Sequence, residues 1–159
     1  MKFDEAVKIV LRHEGGDSDH AQDPGGVTRF GISKKAYPHL DIKNLTVEDA
    51  KDIYRKDYWD ACRCDKLPSK VRLMVFDGAV NQGVAATIGL LQVAIGAKVD
   101  GVMGEETIKK SWEYPDELIV EKLAVLRAHR YFDNSKFRFF GKGWISRLVK
   151  VTAQTMREE

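Results

Sequence analysis

Three side chains suited to acid–base work fall close together: Glu14, Asp23 and Thr28. Glu14 follows an apolar stripe of Phe3, Val7, Val10 and Leu11, spaced as on one side of an α-helix. Eleven residues after Phe3, at roughly 100° per residue, Glu14 returns to within about 20° of the same direction. A carboxyl group on a core-facing stripe costs free energy unless it has a partner or a task. Gly15 and Gly16 then end the helix, which leaves Glu14 in its last turn. There the partial negative charge of the carbonyl end and the apolar neighbours both disfavour the anion, so the expected role is proton donor.

Glycoside hydrolysis needs such a donor and a second, ionised carboxylate in a wetter place. The glycine-rich loop after Glu14 offers Asp17, Asp19 and Asp23. Asp23 is favoured, because Asp23-Pro24-Gly25-Gly26 makes a tight turn that holds its side chain near Thr28. Val27 to Ile32 alternate as a short strand, and the Thr28 hydroxyl can orient an attacking water.

Glu14-Gly15-Gly16, Asp23-Pro24-Gly25-Gly26, Thr28 and Phe30-Gly31-Ile32 together resemble the N-terminal signature of glycoside hydrolase family 108, the N-acetylmuramidases of bacteria and phages. The order Glu14, Asp23, Thr28 is also similar to the Glu-Asp-Thr triad of phage-type lysozymes, with one residue fewer between the last two. Phe76 to Gly83 is similar to a predicted peptidoglycan-binding segment of the family, and Gly143-Trp144-Ile145-Ser146-Arg147 to a Gly-Trp-x-x-Arg element near its members' ends.

The resemblance implies a mainly α, lysozyme-like single domain over 1–159, with a small β-like loop region beside an active-site cleft. Residues 1–66 would form the catalytic part and 67–159 a helical part resembling the peptidoglycan-binding segment. The implied reaction is hydrolysis of the β-1,4 bond between N-acetylmuramic acid and N-acetylglucosamine, with peptidoglycan glycan strands as partner and no cofactor or metal. Glu14, Asp23 and Thr28 would be catalytic, and Phe30 and Asn81 substrate contacts, the Asn81 amide bonding an N-acetyl group or a sugar hydroxyl. The alternative for Asn81 is a helix cap. The alternative for the whole chain is a non-catalytic peptidoglycan-binding or secretion-accessory protein.

A net charge of +2 gives the whole molecule a weak field, but its distribution is uneven. From Arg127 to Lys150 seven Lys or Arg face one acid, Asp133. This is a solvated helix face, or a basic surface drawn to anionic cell-wall polymers or lipid headgroups. No nucleic-acid motif accompanies it. Cys62 and Cys64, one residue apart, are expected to be free thiols. The start MKFDEAVKIV has acids where a signal peptide is apolar. The expectation is therefore a monomer made in the cytoplasm, reaching the cell wall through a holin, dedicated secretion or lysis.

The rest of the scaffold is mainly helical. Thr46 opens one helix, and Ser69 to Gly83, Ala85 to Ile95 and Glu105 to Trp112 form others. The stretch from Pro115 to Phe132 is predicted as the longest and most central helix, and Trp144 to Met156 as the last, with Trp144 a packing anchor rather than a sugar platform. Asp100, Glu105 and Glu106 lack the ligand spacing of a calcium loop.

Overall fold

The computed structural model describes residues 1–15 and 27–157. Asp17, Asp19 and Asp23 lie outside the described residues. Helix α1 spans Phe3–Glu14 and buries Phe3, Ala6, Val7 and Val10. Its start is fixed by Glu5, whose carboxylate accepts from the Lys2 backbone N–H at 2.9 Å. Its end is Gly15, at φ +79°, the left-handed region that a glycine enters at least cost.

Strands β1 (Thr28–Arg29) and β2 (Ile32–Ser33) pair antiparallel, Thr28 opposite Ser33 and Arg29 opposite Ile32. The continuous strand expected from Val27 to Ile32 is thus a hairpin. Phe30 and Gly31 are its two turn residues, at φ +50° and +78°. Positive φ at both central positions is what a two-residue turn needs to match the twist of its strands. Alternation over six residues cannot reveal a fold-back whose reversal is carried by two backbone angles.

Helix α2 (Val47–Tyr54) begins at Thr46, which exchanges hydrogen bonds with Asp49 in a capping box. It runs on into a π-helical stretch, Arg55–Asp60, that turns Trp59 inward. Trp59 meets Phe3 and Phe76 edge-on at 5.5 and 5.4 Å between ring centroids. The buried Cys62 and Cys64 are free thiols, and burial pushes the Cys64 thiol up.

Helix α3 (Ser69–Gln82) is the centre of the molecule. Residues 73–79 are all buried, so every face of the helix meets protein. The helices α4 (Val84–Ala94), α5 (Glu105–Ser111), α6 (Asp116–Phe132) and α7 (Phe137–Met156) complete the chain, with α4, α6 and α7 packed on α3. An added Cβ at Gly78 would stand 2.8 Å from Thr87, so glycine is what lets α3 and α4 approach so closely.

Two expectations fail here. The central helix is α3 rather than α6, and the longest is α7, which starts at Phe137 and not at Trp144. Gly141 and Gly143 lie inside α7. Each costs about 1 kcal/mol of helix propensity, which tertiary packing outweighs. The Phe137 ring folds over Gly141, where a Cβ would stand 2.6 Å from it. Gln92, buried on α4, holds the loop before α5, donating to Asp100 at 2.8 Å and Thr107 at 3.1 Å and accepting from the Asp100 and Gly101 backbone N–H groups. Among the described residues no helix is long and apolar enough to cross a membrane.

Candidate active site

Glu14 is half-buried at the end of α1, and the hairpin turn lies directly on it. A Cβ at Gly31 would stand 2.8 Å from the Glu14 Cβ and 2.5 Å from the Tyr54 hydroxyl, so any larger residue would push the turn off the acid. Tyr54, from α2, donates to the Phe30 carbonyl at 2.9 Å and so ties the turn down. Burial, and then the nearby Glu14 charge, push the Tyr54 hydroxyl far above its ordinary range, keeping it a neutral donor. The structure thus brings Glu14, Phe30 and the hairpin that carries Thr28 to one place.

The partner of Glu14 comes from the other end of the chain. Arg147, on α7, makes an ion pair with the Glu14 carboxylate, their side chains 9% and 19% exposed. The guanidinium is held in turn by Asp77 on α3, whose Oδ1 accepts from Nε at 2.9 Å. The other Asp77 oxygen accepts from Arg127 on α6 at 2.6 Å. Asp77 and Arg127 are completely buried. Burial alone would disfavour the Arg147 cation, but the carboxylates of Asp77 and Glu14 outweigh it and hold the group above its ordinary range. Two acids and two arginines therefore balance within one network, the condition for burying charge at tolerable cost.

The sequence reading missed Asp77, Arg127 and Arg147 as site residues, although the signal that picked out Glu14 also marks them. Arg147 falls on the inward stripe with Trp144, Leu148 and Val151, and Arg127 follows Val120 and Leu123 and precedes Tyr131 on another. Asp77 interrupts an otherwise apolar run in α3. The Glu14 prediction itself needs an addition: the acid does not stand alone at its helix end but is paired with Arg147.

Asn81 lies near the end of α3 without capping it, because the Gly83 N–H takes that role by donating to the Ala79 carbonyl. Its side-chain oxygen accepts from the Tyr131 hydroxyl, which also neighbours Arg127 at 3.4 Å. No hydrogen bond from its amide nitrogen is found among the described residues. Asn81 borders two cavities. One, of about 360 Å³, includes His13, Arg147 and Lys150 in its wall. The other, of about 180 Å³, is lined by Asn81, Gln82, Arg130, Tyr131, Asn134 and Trp144.

Trp144 lines both cavities. Its faces are occupied by Tyr131 at 5.3 Å and Phe140 at 6.0 Å, both nearly parallel to it, which makes it a packing anchor. Burial holds His13 below its ordinary range, against an opposing pull from Asp77. Among the described residues no group of three or more His, Cys, Asp or Glu is placed to hold a metal ion.

The family model described as Glycosyl hydrolase 108 matches residues 7–83, which include Glu14, the hairpin, Asp77 and Asn81. None of the curated proteins compared with the chain matches it. A solved structure described as that of Brucella abortus SagA superposes with a TM-score of 0.88 at 33% identity, covering 99% of this chain and 97% of that one. The likeness therefore extends past the family match through α4 to α7, where Arg127 and Arg147 lie. With its mainly α, lysozyme-like fold, the chain belongs to glycoside hydrolase family 108.

Proposed function

We propose that this glycoside hydrolase is an N-acetylmuramidase that cleaves the β-1,4 bond between N-acetylmuramic acid and N-acetylglucosamine in peptidoglycan. The observation that carries the reading is Glu14 at a helix end, under a hairpin turn and paired with Arg147, which itself lines a cavity of about 360 Å³. Glu14 protonates the glycosidic oxygen as the bond breaks, and positioned acid catalysis of this kind supplies about 10² to 10⁴-fold. Once the proton has left, Arg147 stabilises the carboxylate that remains, an interaction that grows as the reaction proceeds.

Asp23 supplies the second carboxylate, stabilising positive charge at the anomeric carbon or, with Thr28, positioning the water. A water held by that pair fits inversion, for which the two carboxyls stand about 6.5 to 9.5 Å apart. Phe30 contacts the sugar from the hairpin turn, and the free amide of Asn81 donates to an N-acetyl carbonyl or hydroxyl further along.

Of the seven cations between Arg127 and Lys150, Arg127 and Arg147 are consumed in the buried network, while Arg130, Lys136, Arg138, Lys142 and Lys150 are exposed. Phe132, Phe139 and Phe140 are exposed among them, and Arg138 lies over Phe139 at 4.4 Å. This surface suits weak contact with anionic cell-wall polymers or headgroups. The chain acts as a monomer and reaches peptidoglycan by a holin, dedicated secretion or lysis.

The test is digestion of purified sacculi followed by muropeptide mass analysis. Products ending in reducing N-acetylmuramic acid are expected from the wild type, and none from Glu14→Gln, which should still bind sacculi. Binding by wild type without release of reducing ends would favour a non-catalytic peptidoglycan-binding or secretion-accessory protein instead.

A further inference from the structure

Beyond the two cavities at Asn81 lies a third, of about 460 Å³, lined by Leu90, Leu126, His129, Arg130, Asp133 and Asn134. It shares Arg130 and Asn134 with the second cavity, which shares Asn81 and Trp144 with the first. The three thus adjoin in sequence, the first walled by α7 residues that include Arg147, the last by Leu90 of α4 and the C-terminal end of α6. Their charges are ordered. Lys150 and Arg130 come first, and Asp133 stands only in the outermost cavity.

Among the described residues neither the Arg130 guanidinium nor the Asp133 carboxylate has a hydrogen bond or ion pair with another side chain. Asp133 is placed against electrostatic preference, since it follows the C-terminal end of α6, where the helix dipole favours a cation. Leu90 and Leu126 give the same cavity an apolar wall. A bare glycan carries lactyl carboxylates but no cation to set against Asp133.

Resting on the muramidase reading above, we propose that this outer cavity with Arg130 is a subsite for the peptide stem carried by N-acetylmuramic acid. A stem offers backbone and side-chain carboxylates to Arg130, alanine methyl groups to Leu90 and Leu126, and the ammonium group of a diamino acid to Asp133. The enzyme is then selective for peptide-bearing over bare glycan, with the selectivity set by residues outside the Glu14–Arg147 pair.

The experiment measures release of reducing ends from intact sacculi and from glycan strands stripped of their stems by an amidase, with folding of each variant checked by circular dichroism. Wild type cleaves the peptide-bearing substrate faster. Arg130→Ala lowers the ratio of the two rates by about threefold to fivefold, the range open to an exposed ion pair. Asp133→Asn lowers it for sacculi with free diamino-acid amines, and no longer does so once those amines are acetylated. An unchanged ratio in both variants overturns the subsite and leaves the muramidase reading standing. If wild type releases reducing ends from neither substrate, the muramidase reading falls and this inference falls with it.

Discussion

Asp77 and Arg147 meet side-on in the interior, with Oδ1 of the aspartate 2.9 Å from Nε and 2.9 Å from Nη2 of the guanidinium. This contact directs the remaining arm of Arg147, through Nη1, onto Glu14. A fully buried side chain on the central helix thereby fixes the partner of an acid at the protein's edge.

Removing Asp77 leaves Arg127 buried without its counter-charge and Arg147 with Glu14 alone. Asp77→Ala is expected to destabilise the fold by about 3–5 kcal/mol, measured by urea unfolding, with Asp77→Asn less damaging because it keeps a hydrogen-bond acceptor.

Arg147→Lys retains the charge but not the planar fork that spans Glu14 and Asp77 together. kcat should fall by roughly tenfold, equivalent to about 1.4 kcal/mol of transition-state stabilisation, with a smaller change in KM. Steady-state release of reducing ends checks this, and a rise in KM at constant kcat would count against a role confined to Glu14.

Gly31→Ala places a methyl group against the Tyr54 hydroxyl and Glu14, at a φ of +78°. The expected cost is about 1–3 kcal/mol in stability, read as a fall in Tm, with a loss of activity larger than the fraction unfolded explains.

His13 is held below its ordinary value of 6.5, chiefly by burial. As pH falls through 6.5 the unfolded chain takes up a proton at this position while the folded one does not. The stability present above that pH is therefore progressively lost below it, until the folded-state value is passed. His13→Gln should flatten this part of the curve, which urea unfolding at a series of pH values would show.

Local signals were sufficient for what local forces decide. Phe3, Val7 and Val10 mark the buried face of α1, Gly15 its end and Glu14 its last turn. Thr46 with Asp49 starts α2, and Gly83 separates α3 from α4. Each is a matter of backbone hydrogen bonding and φ within a few residues. Resemblance carried the family and the helical class. Where a local rule met a packing demand it lost: Gly141 reads as a breaker, yet the Phe137 ring needs its missing side chain and α7 runs through it.

The sequence by itself determined that an acid would stand at the end of the first helix. Only the tertiary structure decided that an arginine 133 positions later would face it, through an aspartate of a third helix. The cause is physical. A charged residue on an apolar stripe announces that it will be buried, but which opposite charge it meets depends on how helices distant in sequence cross, and no spacing along the chain records that.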